Sequence, residues 1–328
     1  MAVQIALIGL GQIGASVGLA LGNHKDLVVR TGLDKDPAVA RRAKQIGAID
    51  RAESKLFACV EAADLVLLTL PMDQIQETLE FIGPALREGA VVMDTAPVRE
   101  VVGNWVKEFL PQGRHYVGLT PIINPAYLHG IDAGIEAAHA DLFQHGMIAI
   151  VSRPDTNPEA IKLAADLTRL LGAAPLFTDI AEMDGFMAAT HLLPQLLSAA
   201  LINATADQPG WRDARKVAGR AYAEVSGPVA QSGSPASLAS TAIYNGENAL
   251  RVLDSLMAAL QSMYQDIQSR DNEALQKRLE RAKSNRETWW EQRQAGDWLS
   301  VEVRTNPELP KASDVFGNLL GLRRKPKK

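Results

Sequence analysis

The stretch that most constrains this chain is GLGQIGASVG, residues 9–18, which directly follows the apolar run VQIALI. Gly9, Gly11 and Gly14 form the pattern G-x-G-x-x-G between a predicted strand and a predicted helix. In such a corner the first glycine permits a tight turn, the second lets a pyrophosphate approach the backbone, and the third lets helix and strand pack closely. The phosphates would then lie on free N–H groups at the helix N-terminus. The corner therefore predicts a dinucleotide site.

A carboxylate at the end of the second predicted strand bears on the choice of cofactor. The run LVVRTGLD ends in Asp34, twenty residues after Gly14. A carboxylate there accepts hydrogen bonds from the adenosine ribose and repels a 2′-phosphate, so NAD is predicted. Lys35 follows directly, which leaves NADP possible. Further predicted cofactor contacts lie in the first helical turn and after later strands, at Gln12, Ile13, Leu70, Pro71 and Asp94.

Two different patterns divide the chain. Up to about residue 178, short apolar runs alternate with helical stretches. Runs this apolar are buried on both faces of a parallel sheet, which predicts an α/β, Rossmann-type doubly wound domain over residues 1–178. From Asp179 the pattern changes to an all-α domain over residues 179–293, where Asp179 and Glu182 form a capping-box pattern. The predicted helices cover about 179–205, 213–225 and 236–282, with a break at 224–237 and a C-terminal tail, expected to be poorly ordered, at 294–328.

Bulk properties exclude several classes of function. A formal net charge of −4 gives no electrostatic basis for binding nucleic acid. The apolar N-terminal run lacks a basic leader and is too short to span a bilayer, so we expect no membrane association and a cytoplasmic location. Cys59 is the single cysteine, which excludes intrachain disulfides and a thiol metal cluster. No metal site is predicted.

The first long predicted helix carries a polar stripe on an otherwise apolar sequence. Asp184, His191, Gln195 and Ser198 fall within about 60° of one another at 100° per residue, so they share one face. The stripe either makes hydrogen bonds between helices or faces a substrate cleft. In the second case His191 is the only neutral-pH proton acceptor on it. Pro194 should kink the helix at this point.

A basic cluster follows in the second domain. Arg212, Arg215, Lys216 and Arg220 lie within about ten residues. Cations at this density suit a substrate that bears a carboxylate. They equally suit a solvated helix face, and the sequence does not decide between the two.

With these features in place, the chain resembles the prephenate/arogenate dehydrogenase family of tyrosine biosynthesis over about residues 3–270. The resemblance implies two domains, dimerisation through the helical one, and oxidation of a cyclohexadienol by NAD(P), with CO₂ leaving as the ring aromatises. The motifs that carry it are IGLGQIGASVGLAL, GLDKDP, ADLVLLTLPMDQI, VVMDTAPVRE, YVGLTPI, EMDGFMAATHLLPQL and GWRDARKVAG.

Several family positions are replaced in this chain. Family members usually read Asp-Val-Gly-Ser-Val-Lys where this chain has DTAPVR, so Pro97 stands at the serine. They read Gly-Gly-His-Pro where this chain has GLTP, so Thr120 stands at the histidine that accepts the substrate hydroxyl proton. In the helix they read Ser-His-Leu-Pro-His. This chain has HLLPQ in that helix, so His191 stands at the position of the family serine and Gln195 at the position of the last family histidine.

The resemblance thus implies an NAD(P)-dependent dehydrogenase of the prephenate type. Thr120 and His191 are its expected catalytic residues. Lys216 stands where an arginine binds the substrate carboxylate, with Arg215 adjacent and Gln195 as a further substrate contact. One alternative is a β-hydroxyacid or imine-type dehydrogenase or reductase acting on another small carboxylate. The first long helix lacks the lysine that such enzymes place there. A second alternative is a non-catalytic NAD-binding dimer.

Overall fold

The computed structural model describes most of the chain, namely residues 2–130, 132–231 and 233–296. The described residues form two compact units, the first ending at Met183 and the second beginning at Asp184. From residue 297 onward, the predicted C-terminal tail lies outside the described residues.

The first unit is built on an eight-stranded sheet. Its strands are β1 (Val3–Ile8), β2 (Val28–Leu33), β3 (Arg51–Ala52), β4 (Leu65–Leu68), β5 (Val91–Asp94), β6 (His115–Ile122), β7 (Met147–Val151) and β8 (Ala174–Thr178). They lie in the order β3-β2-β1-β4-β5-β6-β7-β8, and neighbours run parallel except at β6 and β7. The predicted doubly wound sheet is confirmed, with one antiparallel pair. β6 and β7 are joined by residues 123–146, whose described part contains short 3₁₀ turns and no crossover helix.

Helices cover both faces of this sheet. They are α1 (Gln12–Ala20), α2 (Pro37–Gln45), α3 (Leu56–Val60), α4 (Met72–Ile82), α5 (Arg99–Phe109) and α6 (Pro158–Leu170). Alternate residues of β1 supply two cores: Ile5 and Leu7 belong to one, and Ala6 and Ile8 to the other. The apolar runs are therefore continuous because both faces of the central strands are buried. Cys59 is buried in the second core, where burial raises the pKa of its thiol to about 12.

A long helical segment follows β8. It consists of α7 (Ile180–Met187), a π-helical turn (Ala188–Leu192) and α8 (Leu193–Ala206). Asp179 starts it as predicted, because its Oδ1 accepts the backbone N–H of Glu182 at 2.8 Å. The Glu182 carboxylate accepts the Thr178 hydroxyl at 2.6 Å. By length and composition alone, Ile180–Ala206 could cross a membrane, and 22% of its most apolar window is buried inside the chain.

The later helices differ from the sequence prediction. They are α9 (Trp211–Ala214), α10 (Arg220–Gln231), α11 (Pro235–Tyr244), α12 (Gly246–Gln268) and α13 (Asn272–Ala295). The single helix predicted over 236–282 is wrong, since Asn245 separates α11 from α12 and Asp271 starts α13. The Asp271 carboxylate caps the N–H of Ala274 at 2.9 Å. The helix predicted over 213–225 is likewise two pieces, α9 and α10.

The predicted break at 224–237 is also shorter than expected. α10 continues to Gln231 with Pro228 inside it. The buried hydroxyl of Ser198, on α8, donates to the carbonyl of Ser226 at 2.8 Å and accepts the N–H of Val229 at 3.1 Å. Ser198 thereby binds the backbone of α10 on both sides of the proline. For this member of the polar stripe, the interpretation as a hydrogen bond between helices is correct.

Candidate functional site

The glycine corner joins β1 to α1 in a conformation that requires glycine. Gly9 has a φ of +89°, in the region that side chains rarely adopt. A Cβ at Gly9 would lie 2.4 Å from the backbone oxygen of Thr69. A Cβ at Gly14 would lie 2.1 Å from the oxygen of Gly9 and 2.5 Å from Oγ1 of Thr69. These contacts give Gly9 and Gly14 the roles in turn and packing that the sequence predicts.

Thr69 is a part of the corner that sequence reasoning missed. It follows β4, and its Oγ1 donates to the carbonyl of Gly9 at 2.6 Å, while its N–H donates to Ile8 at 2.8 Å. The hydroxyl thus attaches the corner to the end of the neighbouring strand. The available signal was a polar residue directly after the buried run LVLL.

Gly11 differs from the other two glycines because the space beside it is open. Apart from Gly11 itself and its two chain neighbours, no atom of the described structure lies within 4 Å of the Cβ that an alanine would place there. Gly11 is the N-cap of α1, and no side chain caps the first turn. The N–H groups of Gln12 and Ile13 therefore face an open position at the positive end of the helix, the arrangement that binds a phosphate.

Asp34 is held against the same corner. One of its carboxylate oxygens, Oδ2, accepts the N–H of Leu10 at 2.8 Å, and Oδ1 accepts the N–H of Asp36 at 2.9 Å. Because β1 and β2 are parallel neighbours, the end of β2 lies beside the glycine corner. The structure thus brings together the predicted phosphate and ribose positions, although the ribose contact itself stays a prediction.

Leu70 and Pro71 extend the group along the same edge of the sheet. Both follow β4, and Pro71 is the N-cap of α4. The Leu70 side chain comes within 3.2 Å of the Cβ position at Gly9. The two residues therefore lie beside the corner, at the carboxyl end of the parallel strands where ligands of such sheets bind.

Asp94 is buried at the end of β5, and its carboxylate is already engaged inside the unit. Oδ1 accepts the N–H of Ala96 at 2.7 Å, Arg99 forms an ion pair at 3.2 Å, and the hydroxyl of Tyr116 donates to Oδ2. Burial and the neighbouring Asp94 raise the pKa of Tyr116 well above its ordinary value. The observed contacts show Asp94 shaping the turn that contains Pro97. Its contact with a cofactor stays a prediction.

Thr120 carries a buried hydroxyl that the rest of the described chain does not satisfy. The residue is 6% exposed, and its Oγ1 has no hydrogen-bond partner among the described residues. It lies on β6, two residues beyond Gly118, which pairs with Asp94. Leaving a buried hydroxyl unsatisfied costs about 1–3 kcal/mol, so such a group is commonly satisfied by a ligand or a water.

His191 lies on the surface of the second unit, in the π-helical turn that precedes Pro194. Such turns occur where the regular hydrogen bonds of a helix are interrupted, and a proline interrupts them because it lacks a backbone N–H. They are frequent at functional sites. Loss of hydration lowers the pKa of the His191 imidazole below its ordinary value. Gln195, one turn later, is buried, and its amide nitrogen contacts His191. The other stripe member, Asp184, accepts the side-chain amide of Asn245 on its backbone oxygen at 2.8 Å.

The predicted carboxylate-binding cations are exposed on the surface of the second unit. Lys216 donates to Asp213 at 2.7 Å, and Arg215 donates to the carbonyl of Arg212 at 3.3 Å. These contacts are those of a solvated turn, and the substrate role of both residues stays a prediction.

For metals, the described residues hold no group of three or more potential His, Cys, Asp or Glu ligands.

The contrast between Gly11 and Gly14 separates nucleotide binding from folding. Gly11→Ala should leave the Tm of the ligand-free protein unchanged, because the methyl group enters open space, and should weaken NAD binding about tenfold or more by blocking the phosphate position. Gly14→Ala is its matched control and should lower stability by about 1–3 kcal/mol, because its Cβ collides with backbone. Thermal unfolding and NADH fluorescence titration measure the two effects. Unchanged affinity in Gly11→Ala would exclude the corner as the phosphate site.

Comparison with known proteins gives a consistent family. The nucleotide-binding domain model of prephenate dehydrogenase matches residues 17–175, and its dimerization domain model matches residues 179–281. A cyclohexadienyl dehydrogenase of Zymomonas mobilis is 28% identical over 61% of this chain, and a prephenate dehydrogenase of Bacillus subtilis is 26% identical over 61%. The matches span 66% and 53% of those two proteins, respectively.

A solved structure shares the whole fold. Prephenate dehydrogenase from A. aeolicus, crystallised with hydroxyphenyl propionate and NAD+, superimposes with a TM-score of 0.76 at 20% identity, covering 88% of this chain and 98% of the other. At that identity the likeness concerns the fold alone. Taken with the two domain models, which cover most of the sequence, it leads to one conclusion: this chain belongs to the prephenate dehydrogenase family.

Proposed function

We propose that this protein is an NAD-dependent dehydrogenase that oxidatively decarboxylates prephenate or arogenate. The observation that carries the proposal is the glycine corner, with its uncapped helix N-terminus and the Asp34 carboxylate beside it. Family membership and the printed activities of the relatives supply the reaction type. A β-hydroxyacid or imine-type enzyme is not favoured by the family match. We also expect the cytoplasm as its location.

Different residues of the chain would bind different parts of the cofactor and the substrate. Backbone N–H groups of Gln12 and Ile13 would bind the pyrophosphate, and Asp34 would accept the hydroxyls of the adenosine ribose. When bound, NAD would accept a hydride from the carbinol carbon of the substrate. Thr120 would hydrogen-bond the reacting oxygen. A threonine hydroxyl does not act as a base near neutral pH, so Thr120 orients the substrate and does not take its proton.

We further propose that the protein is a homodimer held by its helical unit. Helix α12 carries six large apolar side chains spaced alternately three and four residues apart. Five of them are between 51% and 64% exposed, and the sixth, Leu253, is partly buried. They are Leu250, Leu253, Met257, Leu260, Tyr264 and Ile267. That spacing is the seam of a helix that packs lengthwise against another helix. A second copy would cover it, and the family model matched here is a dimerization domain.

Turnover tests the proposed reaction directly. Purified full-length protein incubated with NAD and either prephenate or arogenate should produce NADH, followed by absorbance. NADH from neither substrate, alongside measurable NAD binding, would contradict the proposed reaction. It would favour the non-catalytic nucleotide-binding alternative.

Thr120→Val separates a role in catalysis from a role in folding. The substitution keeps the side-chain shape and removes the unpartnered hydroxyl, so the ligand-free protein should be as stable as the wild type or more stable. Turnover should fall about tenfold, the loss of one hydrogen bond to the reacting oxygen. A fall in Tm with unchanged turnover would show instead that the hydroxyl is structural.

The exposed seam predicts the effect of a charge on assembly. Leu260→Asp should shift the protein from dimer to monomer in size-exclusion chromatography with light scattering, because the carboxylate would be buried against the partner. The matched control is Phe81→Asp. This equally exposed aromatic lies on α4 of the first unit and should leave the mass unchanged. A monomeric wild-type protein would exclude the proposed assembly.

A further inference from the structure

The His191 and Gln195 pair stands where the resemblance places a serine and a histidine in other family members. Both residues belong to the helix that begins at Ile180. His191 lies in the π-helical turn, and Gln195 lies in the first turn of α8. His191 is exposed on the second unit, whereas Gln195 is 9% exposed. The buried amide of Gln195 therefore contacts the ring of a residue that protein surrounds only in part.

One atom of Gln195 makes two contacts with His191. Its Nε2 lies 3.0 Å from the backbone oxygen of His191 and 3.1 Å from Nε2 of the imidazole. A backbone carbonyl only accepts hydrogen bonds, so the amide atom that faces it must be the nitrogen and not the oxygen. An amide nitrogen only donates. Its second hydrogen is thus directed at the ring nitrogen, which must accept it.

A ring nitrogen that accepts cannot carry a proton. The arrangement therefore specifies a neutral imidazole protonated on Nδ1 and unprotonated on Nε2. Protonating the ring would set an Nε2–H against the amide N–H, with two donors facing each other. The lowered pKa of His191, which arises from loss of hydration, acts in the same direction.

We propose that Gln195 is a positioning residue that holds His191 in the neutral Nδ1–H form, so that His191 offers a hydrogen-bond donor to a substrate carboxylate or carbonyl oxygen. The lone pair that a general base would use is engaged by Gln195. The part concerning substrate rests on the proposed function, whereas the tautomer is a property of the protein alone. In this role His191 binds and orients the substrate.

Nitrogen-15 NMR of the imidazole rings tests the tautomer without any need for turnover. In uniformly labelled protein at pH 7 to 8, the His191 signals, assigned by their loss in His191→Asn, should show a protonated Nδ1 and an unprotonated Nε2. Gln195→Met keeps the side-chain length and removes the donor, so the Nε2–H form should appear. Gln45→Met, on exposed α2, is the matched control and should change nothing. A protonated Nε2 in the wild type, or an unaltered His191 pattern in Gln195→Met, would overturn the proposal.

Kinetics then separates a donor from a base. The amide nitrogen of an asparagine at 191 falls near the position of Nδ1, whereas the amide of a glutamine reaches the position of Nε2. If His191 donates through Nδ1, His191→Asn should retain turnover within about tenfold and His191→Gln should lose about 10- to 100-fold. A base would instead cost about 10²–10⁴-fold in both variants, and that result would contradict the donor role. Absence of turnover in the wild type would reject the proposed reaction and leave the NMR result to decide the tautomer.

Discussion

The close approach of α1 to the carboxyl ends of β1 and β4 is the constraint on which the rest of the first unit depends. Gly14 faces the carbonyl of Gly9 with no room for a side chain, and the Thr69 hydroxyl binds the same carbonyl. This packing points the first turn of α1 at open space beside Gly11. Because β2 runs parallel to β1, it also brings Asp34 to the corner. Fold and ligand position are thus set by the same few contacts.

Local and periodic features could be predicted from the sequence. The glycine corner, the alternation of apolar strands with helices up to about residue 178, and the Asp179 cap each depend on short runs of residues, and the structure has all of them. Features that depend on distant contacts could not. The Thr69 hydroxyl reaches a carbonyl sixty residues away, and Ser198 supports α10 around Pro228 so that the helix persists where a break was predicted. The helix ends at Asn245 and Asp271 were missed although each has a local signal, the Asn-Gly pair at 245–246 and the polar run SRDNE at 269–273, because the apolar helical spacing continues on both sides.

The candidate catalytic positions show a different limit. Aligning motifs could identify Thr120 and His191 as replacements, but not what the replacements do. The buried hydroxyl of Thr120 has no hydrogen-bond partner among the residues that the structure describes, so it suits a hydrogen bond to a ligand. His191 is engaged on one ring nitrogen by Gln195, which suits a donor better than a base. Thr120 stands where the resemblance places a proton-accepting histidine, and His191 stands where it places a serine. At both positions the proposed role is to orient the substrate and not to take its proton.

The central claim is that the glycine corner binds a dinucleotide with Asp34 at its ribose. Isothermal titration calorimetry of the full-length protein with NAD and with NADP tests it most directly. We expect saturable binding of one nucleotide per chain, with NAD tighter than NADP because the Asp34 carboxylate repels a 2′-phosphate. No heat and no competition from either nucleotide at millimolar concentration would contradict it.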